Sequence, residues 1–92
     1  MGPEAKIEKA VCEYAMSKGC LVYKFTSPAN RSVPDRLFIP RDKPPLFIEM
    51  KAPGAKPTDK QDREMHRIKA QGTVAVWVDS VEEGKRVIDA YT

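Results

Sequence analysis

Apolar residues recur at Ile7, Ala10, Val11, Tyr14 and Ala15, the spacing of one face of an α-helix. Pro3 suits the first helical position, and Gly19 ends the segment. Carrying that stripe one turn back places Glu4 on the core-facing side, an odd position for a carboxylate without a partner, with Glu8 at the stripe's edge. The period changes at Cys20. Residues 20–25 alternate, with Leu21, Tyr23 and Phe25 on one face and Lys24 on the other, which predicts a half-buried strand with Tyr23 as a core aromatic. After a polar loop over 26–33, residues 35–39 and 46–51 are strand-like. Between them Pro40, Pro44 and Pro45 surround Arg41, Asp42 and Lys43, so the pair reads as a hairpin with a proline-braced turn.

A Pro/Gly/Lys connection over 52–57 precedes Thr58, and Gln61 three residues later completes the form of a capping box that opens a second helix. Its apolar positions are few, Met65 and Ile68, and Gly72 closes it. Residues 73–78 form an almost unbroken apolar run that includes Trp77, the pattern of a strand covered on both faces. Ser80 and Glu83 suggest another capping box, opening a last helix with the stripe Gly84, Val87, Ile88 and Tyr91. The order αβββαβα predicts a two-layer or three-layer α/β domain around a mixed sheet. Ninety-two residues make one domain, 1–92, since no second core could be filled.

Composition narrows the classes. Hydrophobic residues are 41% and charged residues 32%, enough to build a core and too mixed in sign for disorder. No apolar run reaches the roughly 18 residues of a membrane span, and no signal-peptide core follows the N-terminus, so a cytosolic protein is expected. Cys12 and Cys20 stand outside any CxxC or Cys/His spacing, and His66, read as a surface residue, is the only imidazole. Zinc sites, disulfide frameworks and mechanisms needing two histidines are set aside. The net charge is +3, and the excess lies in residues 1–51, with 9 Lys/Arg against 6 Asp/Glu. This suits a face that meets a polyanion, and it equally suits a solvated basic surface.

The hairpin carries the chemistry. Residues paired across an antiparallel turn have a constant index sum, and a turn centred near Asp42 gives about 84, which sets Asp35 opposite Glu49. Like charges facing each other on a sheet are destabilising unless something neutralises them. A divalent cation would, since two carboxylates suit the preference of Mg²⁺ for hard oxygen ligands. Lys51, two residues past Glu49, projects from the same face and could hold a water or a phosphate beside the metal. The alternative is an ordinary solvent-facing hairpin in which Lys51 and Arg36 balance the two acids.

Pro34-Asp35 followed by Glu49-Met50-Lys51 after Leu46-Phe47-Ile48 resembles the PD-(D/E)xK nuclease superfamily. More narrowly, Arg31-Ser32-Val33-Pro34-Asp35, then Phe47-Ile48-Glu49-Met50-Lys51-Ala52-Pro53, then Gln61 early in a helix, resemble the VRR-NUC family of virus-type replication and repair nucleases. Ser32 departs from the pattern, since many members carry glycine before the hydrophobic-Pro-Asp step. The resemblance spans residues 4 to about 78 and implies a restriction-endonuclease-like core. It makes Asp35, Glu49 and the backbone carbonyl of Met50 ligands of Mg²⁺ or Mn²⁺, and gives Lys51 the attacking water. Glu4 matches best the family's acidic residue near the start of the first helix, bound to metal directly or through water, with Glu8 as the fallback. Gln61 matches the helix glutamine, and its spacing to Met65 and Ile68 turns it toward the sheet.

The implied activity is metal-dependent hydrolysis of DNA phosphodiester bonds, with no organic cofactor. No zinc finger, helix-turn-helix or basic tail is apparent, so recognition of branched shapes such as flaps or four-way junctions is the expectation, as in replication and repair. Small stand-alone members of the family imply a homodimer and point to a phage setting. Two other classes compete: a nucleic-acid-binding module that retains the site without catalysis, and a small protein-interaction domain. The complete acid-acid-lysine set favours the enzyme.

Overall fold

The computed structural model describes residues 1–92. Helix α1 (Pro3–Ser17) is followed by strands β1 (Leu21–Lys24), β2 (Arg36–Ile39) and β3 (Leu46–Met50), helix α2 (Asp59–Ala70), strand β4 (Val74–Val78) and helix α3 (Val81–Tyr91). The αβββαβα order is therefore the one the periodicities predict, with boundaries moved by a residue or two. The sheet runs β1-β2-β3-β4, antiparallel through β3 and parallel between β3 and β4. A parallel neighbour needs a crossover, and α2 supplies it.

The two faces of the sheet are unequal. Val11 and Ala15 of α1 and Ile88 of α3 join Phe38, Leu46, Ile48, Met50 and Val78 in one apolar core, all of them buried. Helices α1 and α3 meet closely because Gly84 has no side chain: a Cβ there would collide with Cγ2 of Val11. On the opposite face α2 lies chiefly over β4, where Met65 and Ala75 are buried outside that core.

Three expectations about burial need correction. Cys20, just before β1, and Val22 within it turn inward, and Leu21 and Tyr23, 57% and 52% exposed, lie on the open side of the sheet. Tyr23 is therefore no core aromatic. Trp77, on the same face as Ala75, is 37% exposed, so β4 is only partly covered on its second face. Glu4 is exposed and does not continue the buried stripe of α1, which starts at Ile7.

The caps behave as local chemistry requires. At α2 the box is complete, with Gln61 N donating to Thr58 Oγ1 at 3.1 Å and Thr58 N donating to Gln61 Oε1 at 2.9 Å. At α3 only half of the expected box forms. Ser80 Oγ accepts from Glu83 N at 3.1 Å, while the Glu83 carboxylate takes Arg86 Nη1 at 2.6 Å instead.

Candidate active site

The hairpin register observed is the one the arithmetic gives: Arg36 faces Ile48, Leu37 faces Phe47 and Phe38 faces Leu46. Asp42 holds the turn with a positive φ of 57°, which aspartate tolerates better than most residues. Asp35 lies one residue outside β2, yet the pairing continues through it. Its carbonyl accepts from Phe25 N at 2.7 Å, and its own N–H donates to Glu49 Oε1 at 3.1 Å. Pro34, fully buried, fixes the chain entering this position.

Because Ile48 and Met50 point into the core, the alternation of β3 sends Glu49 and Lys51 to the opposite face. That face does not expose Glu49 to water: it is only 3% accessible. Its second oxygen, Oε2, lies 3.3 Å from Lys51 Nζ, and the lysine is itself largely buried. Burial, reinforced by the charge of Asp35, pushes the Glu49 carboxyl above its ordinary pKa, against the pull of the Asp35 amide and Lys51. The solvent-facing hairpin balanced by two surface cations is thus not what forms. Arg36 turns to the α1 face and bonds Glu8, Nε to Oε2 at 3.3 Å, with both side chains about a quarter exposed.

The structure therefore brings Asp35, Glu49 and Lys51 together at one end of the hairpin. It does not bring a third acid to them, since no group of three or more His, Cys, Asp or Glu side chains stands within metal-binding reach. Glu4 extends from the first turn of α1, and Glu8 is engaged with Arg36. Gln61 is half-buried on the Met65 stripe of α2, with its carbonyl oxygen committed to the capping box and its amide nitrogen left as a donor. Cys12 and Cys20 are free and buried, and burial raises both thiols, which keeps them protonated and unreactive.

Two features escaped the sequence reading. The Arg36–Glu8 pair was open to inference, since Phe38 two residues on is a core residue and a cation on a core-facing strand position needs a partner. The other is the fastening of the 26–33 loop. Asn30 Oδ1 accepts from Ser32 N at 2.9 Å, and Asn30 Nδ2 donates to Glu64 Oε1 at 2.8 Å, tying the approach to Asp35 onto α2. The Asn-x-Ser string signals the local turn, but nothing in sequence identifies Glu64 as the distant acceptor.

A mixed sheet carrying this Asp and this Glu-x-Lys at adjacent strand ends, with helices on both faces, defines the restriction-endonuclease-like fold of PD-(D/E)xK nucleases. No protein-family model matches the chain. It is 43% identical over 77 residues to "Putative nuclease p44" of Acyrthosiphon pisum secondary endosymbiont phage 1, covering 84% of this chain and 83% of that protein. A solved structure described as a VRR_NUC domain superposes with a TM-score of 0.91 at 27% identity, over the full length of both chains. A second, a VRR_NUC domain protein, gives 0.78 at 17% identity, covering 99% of this chain and 88% of the other, and shows the same fold. The chain belongs to the VRR-NUC family of nucleases.

Proposed function

We propose that this protein is a divalent-metal-dependent endonuclease that cuts DNA at branched structures such as flaps or four-way junctions, acting as a homodimer in replication or repair, in a phage setting and in the cytosol. The observation that carries the reading is the buried Glu49, held between the Asp35 amide and the Lys51 ammonium at the end of the β2–β3 hairpin. A buried carboxylate of raised pKa beside a second carboxylate is a site short of positive charge. Its hard oxygen donors fit Mg²⁺ or Mn²⁺. Asp35, Glu49 and the backbone carbonyl of Met50 would hold the ion, with Glu4, which the structure does not bring within direct reach, acting through water. When bound, such an ion supplies polarisation of the scissile phosphate and acidification of water.

The remaining roles fall to the chain. Glu49 fixes Lys51 Nζ at 3.3 Å, so the ammonium is positioned before substrate arrives. Lys51 orients the attacking water and stabilises the charge that develops on phosphate oxygens in the transition state. Gln61, with its amide nitrogen free, donates a hydrogen bond toward the substrate phosphate. Two-fold pairing would supply two sites for the arms of a junction, and the exposed apolar residues Leu21 and Tyr23 on edge strand β1 support it.

Cleavage assays with Mg²⁺, Mn²⁺ or EDTA over single strands, duplexes, flaps, forks and four-way junctions test this, together with light scattering at micromolar concentration. The expected result is a dimer that cuts branched DNA only with metal. Equal cutting of linear duplex by a monomer would overturn the structural preference, and cutting in EDTA would overturn the mechanism.

A further inference from the structure

Beside the site, between the 26–33 loop and α2, lies a basin of about 190 Å³ lined by Asn30, Ser32, Lys60, Arg63, Glu64 and Arg67, with no apolar side chain. We infer that this basin is a phosphate subsite, in which Lys60 and Arg63 hold the backbone of the DNA strand a few nucleotides from the bond that is cut. The inference rests on the nuclease reading above and extends it to how the strand is gripped.

The charge balance points to an anion. Glu64 is the only acid in the lining, and its negative charge is already used: the side chain is 15% exposed and its Oε1 accepts from both Asn30 Nδ2 at 2.8 Å and Arg67 Nη1 at 3.0 Å. Lys60 and Arg63 are exposed, and neither belongs to any ion pair of the molecule. Positions 60, 63 and 67 lie on one face of α2, so the cations form a ridge along the basin. Its other wall is held in place, because Asn30 both closes the turn to Ser32 N and bonds Glu64 on α2.

Position identifies the anion. Ser32 is three residues from Asp35, and three residues span at most about 10 Å. Each strand of duplex DNA carries a charge about every 3.4 Å along the axis, so the basin falls within about three nucleotides of the reacting phosphate. The lining holds no apolar or aromatic surface on which a base could stack, and its guanidinium and ammonium groups suit phosphate oxygens, contacts that position the strand.

The test compares wild type with the double variant Lys60→Gln, Arg63→Gln on the best-cleaved DNA structure. KM should rise about tenfold with kcat held within about twofold, and the slope of log affinity against log salt should flatten by about one for each phosphate no longer neutralised. The charge-retaining pair Lys60→Arg, Arg63→Lys should keep the wild-type slope. One uncharged methylphosphonate linkage placed within three nucleotides of the cut should weaken wild type and have no further effect on the double variant. Unchanged KM and salt slope would overturn the subsite, as would a neutral linkage that weakens both proteins equally. A wild-type protein that cuts no DNA with either metal would overturn the nuclease reading itself, and the subsite with it.

Discussion

On one face of the sheet Phe38, Leu46, Ile48 and Met50 lie fully covered by α1 and α3, while on the other Glu49, Phe47 and Trp77 share a surface on which α2 reaches chiefly β4. Each fully buried apolar side chain on the first face contributes about 1.5 to 3 kcal/mol. The second face does the opposite at Glu49, where a carboxylate is kept from water beside another negative charge. With the site proposed above, stability and chemistry fall on opposite sides of one β-strand and its immediate continuation, alternating residue by residue from Ile48 to Lys51. Ile48 and Met50 hold the strand down, and the proposed roles of Glu49 and Lys51 draw on that rigidity.

Substitutions one residue apart should separate the two roles. Lys51→Ala should lower the cleavage rate at least a hundredfold, in the range of about 10² to 10³ found when a charge-stabilising group is removed. It should leave the protein folded with a lower melting temperature, because buried Glu49 loses its ion partner. Asp35→Ala and Glu49→Ala should lose activity to the same degree and remain folded. Wild-type rates from Lys51→Ala would break the assignment of chemistry to this face.

On the closed face Ile48→Ala should cost about 2 to 5 kcal/mol of stability by urea titration, as cavities in cores do. The molecules that stay folded should still cut. A smaller loss is expected where the two helices touch: Gly84→Ala forces its methyl onto Val11, an overpacking cost of about 1 to 3 kcal/mol. That is offset in part by the roughly 1 kcal/mol by which alanine outperforms glycine in a helix. A stabilised Gly84→Ala protein would show that α1 and α3 can separate freely.

The mildest effect tests the charged face alone. In EDTA, Asp35→Asn should raise the melting temperature at neutral pH, because the side chain loses its charge and the backbone N–H still bonds Glu49. Glu49 has a folded pKa raised above the unfolded value, so its contribution is fully present below the unfolded pKa, about 4.5, and is lost as pH rises through the folded pKa. The advantage of Asp35→Asn should therefore grow from acid to neutral pH and vanish in acid. Added Mg²⁺ should reverse the order, raising the melting temperature of wild type and not of the variant. A clear loss of stability for Asp35→Asn in EDTA would indicate that Asp35 is a structural ion-pair partner.

What the sequence disclosed follows from how local each signal is. The turn around Asp42 is short and rich in proline, so it sets the register of Asp35 and Glu49 by counting alone, and the Thr58–Gln61 box needs only four residues. The inward face of β1 was not legible, because Cys20 and Val22 are as apolar as Leu21, Tyr23 and Phe25, and only the packed helix decides between them. Trp77 misled for a similar reason: an all-apolar strand does not reveal how far the helix above it extends. For Glu4, periodicity located the stripe of α1 but could not say that burial begins a turn later, at Ile7.

The place of β3 within the sheet governs how the molecule breathes. It is bonded on both sides, to β2 and to β4, and the parallel pairing runs one residue past its end, where Lys51 N donates to Val78 O at 2.9 Å. Amides in such a strand exchange with solvent only when the whole domain opens, whereas fraying elements exchange through small local excursions. Glu49 and Lys51 thus share the lifetime of the global fold. Any motion that admits a bulky substrate is then left to the loops and helices around them, because β3 and the Lys51 amide just past its end are bonded into the sheet.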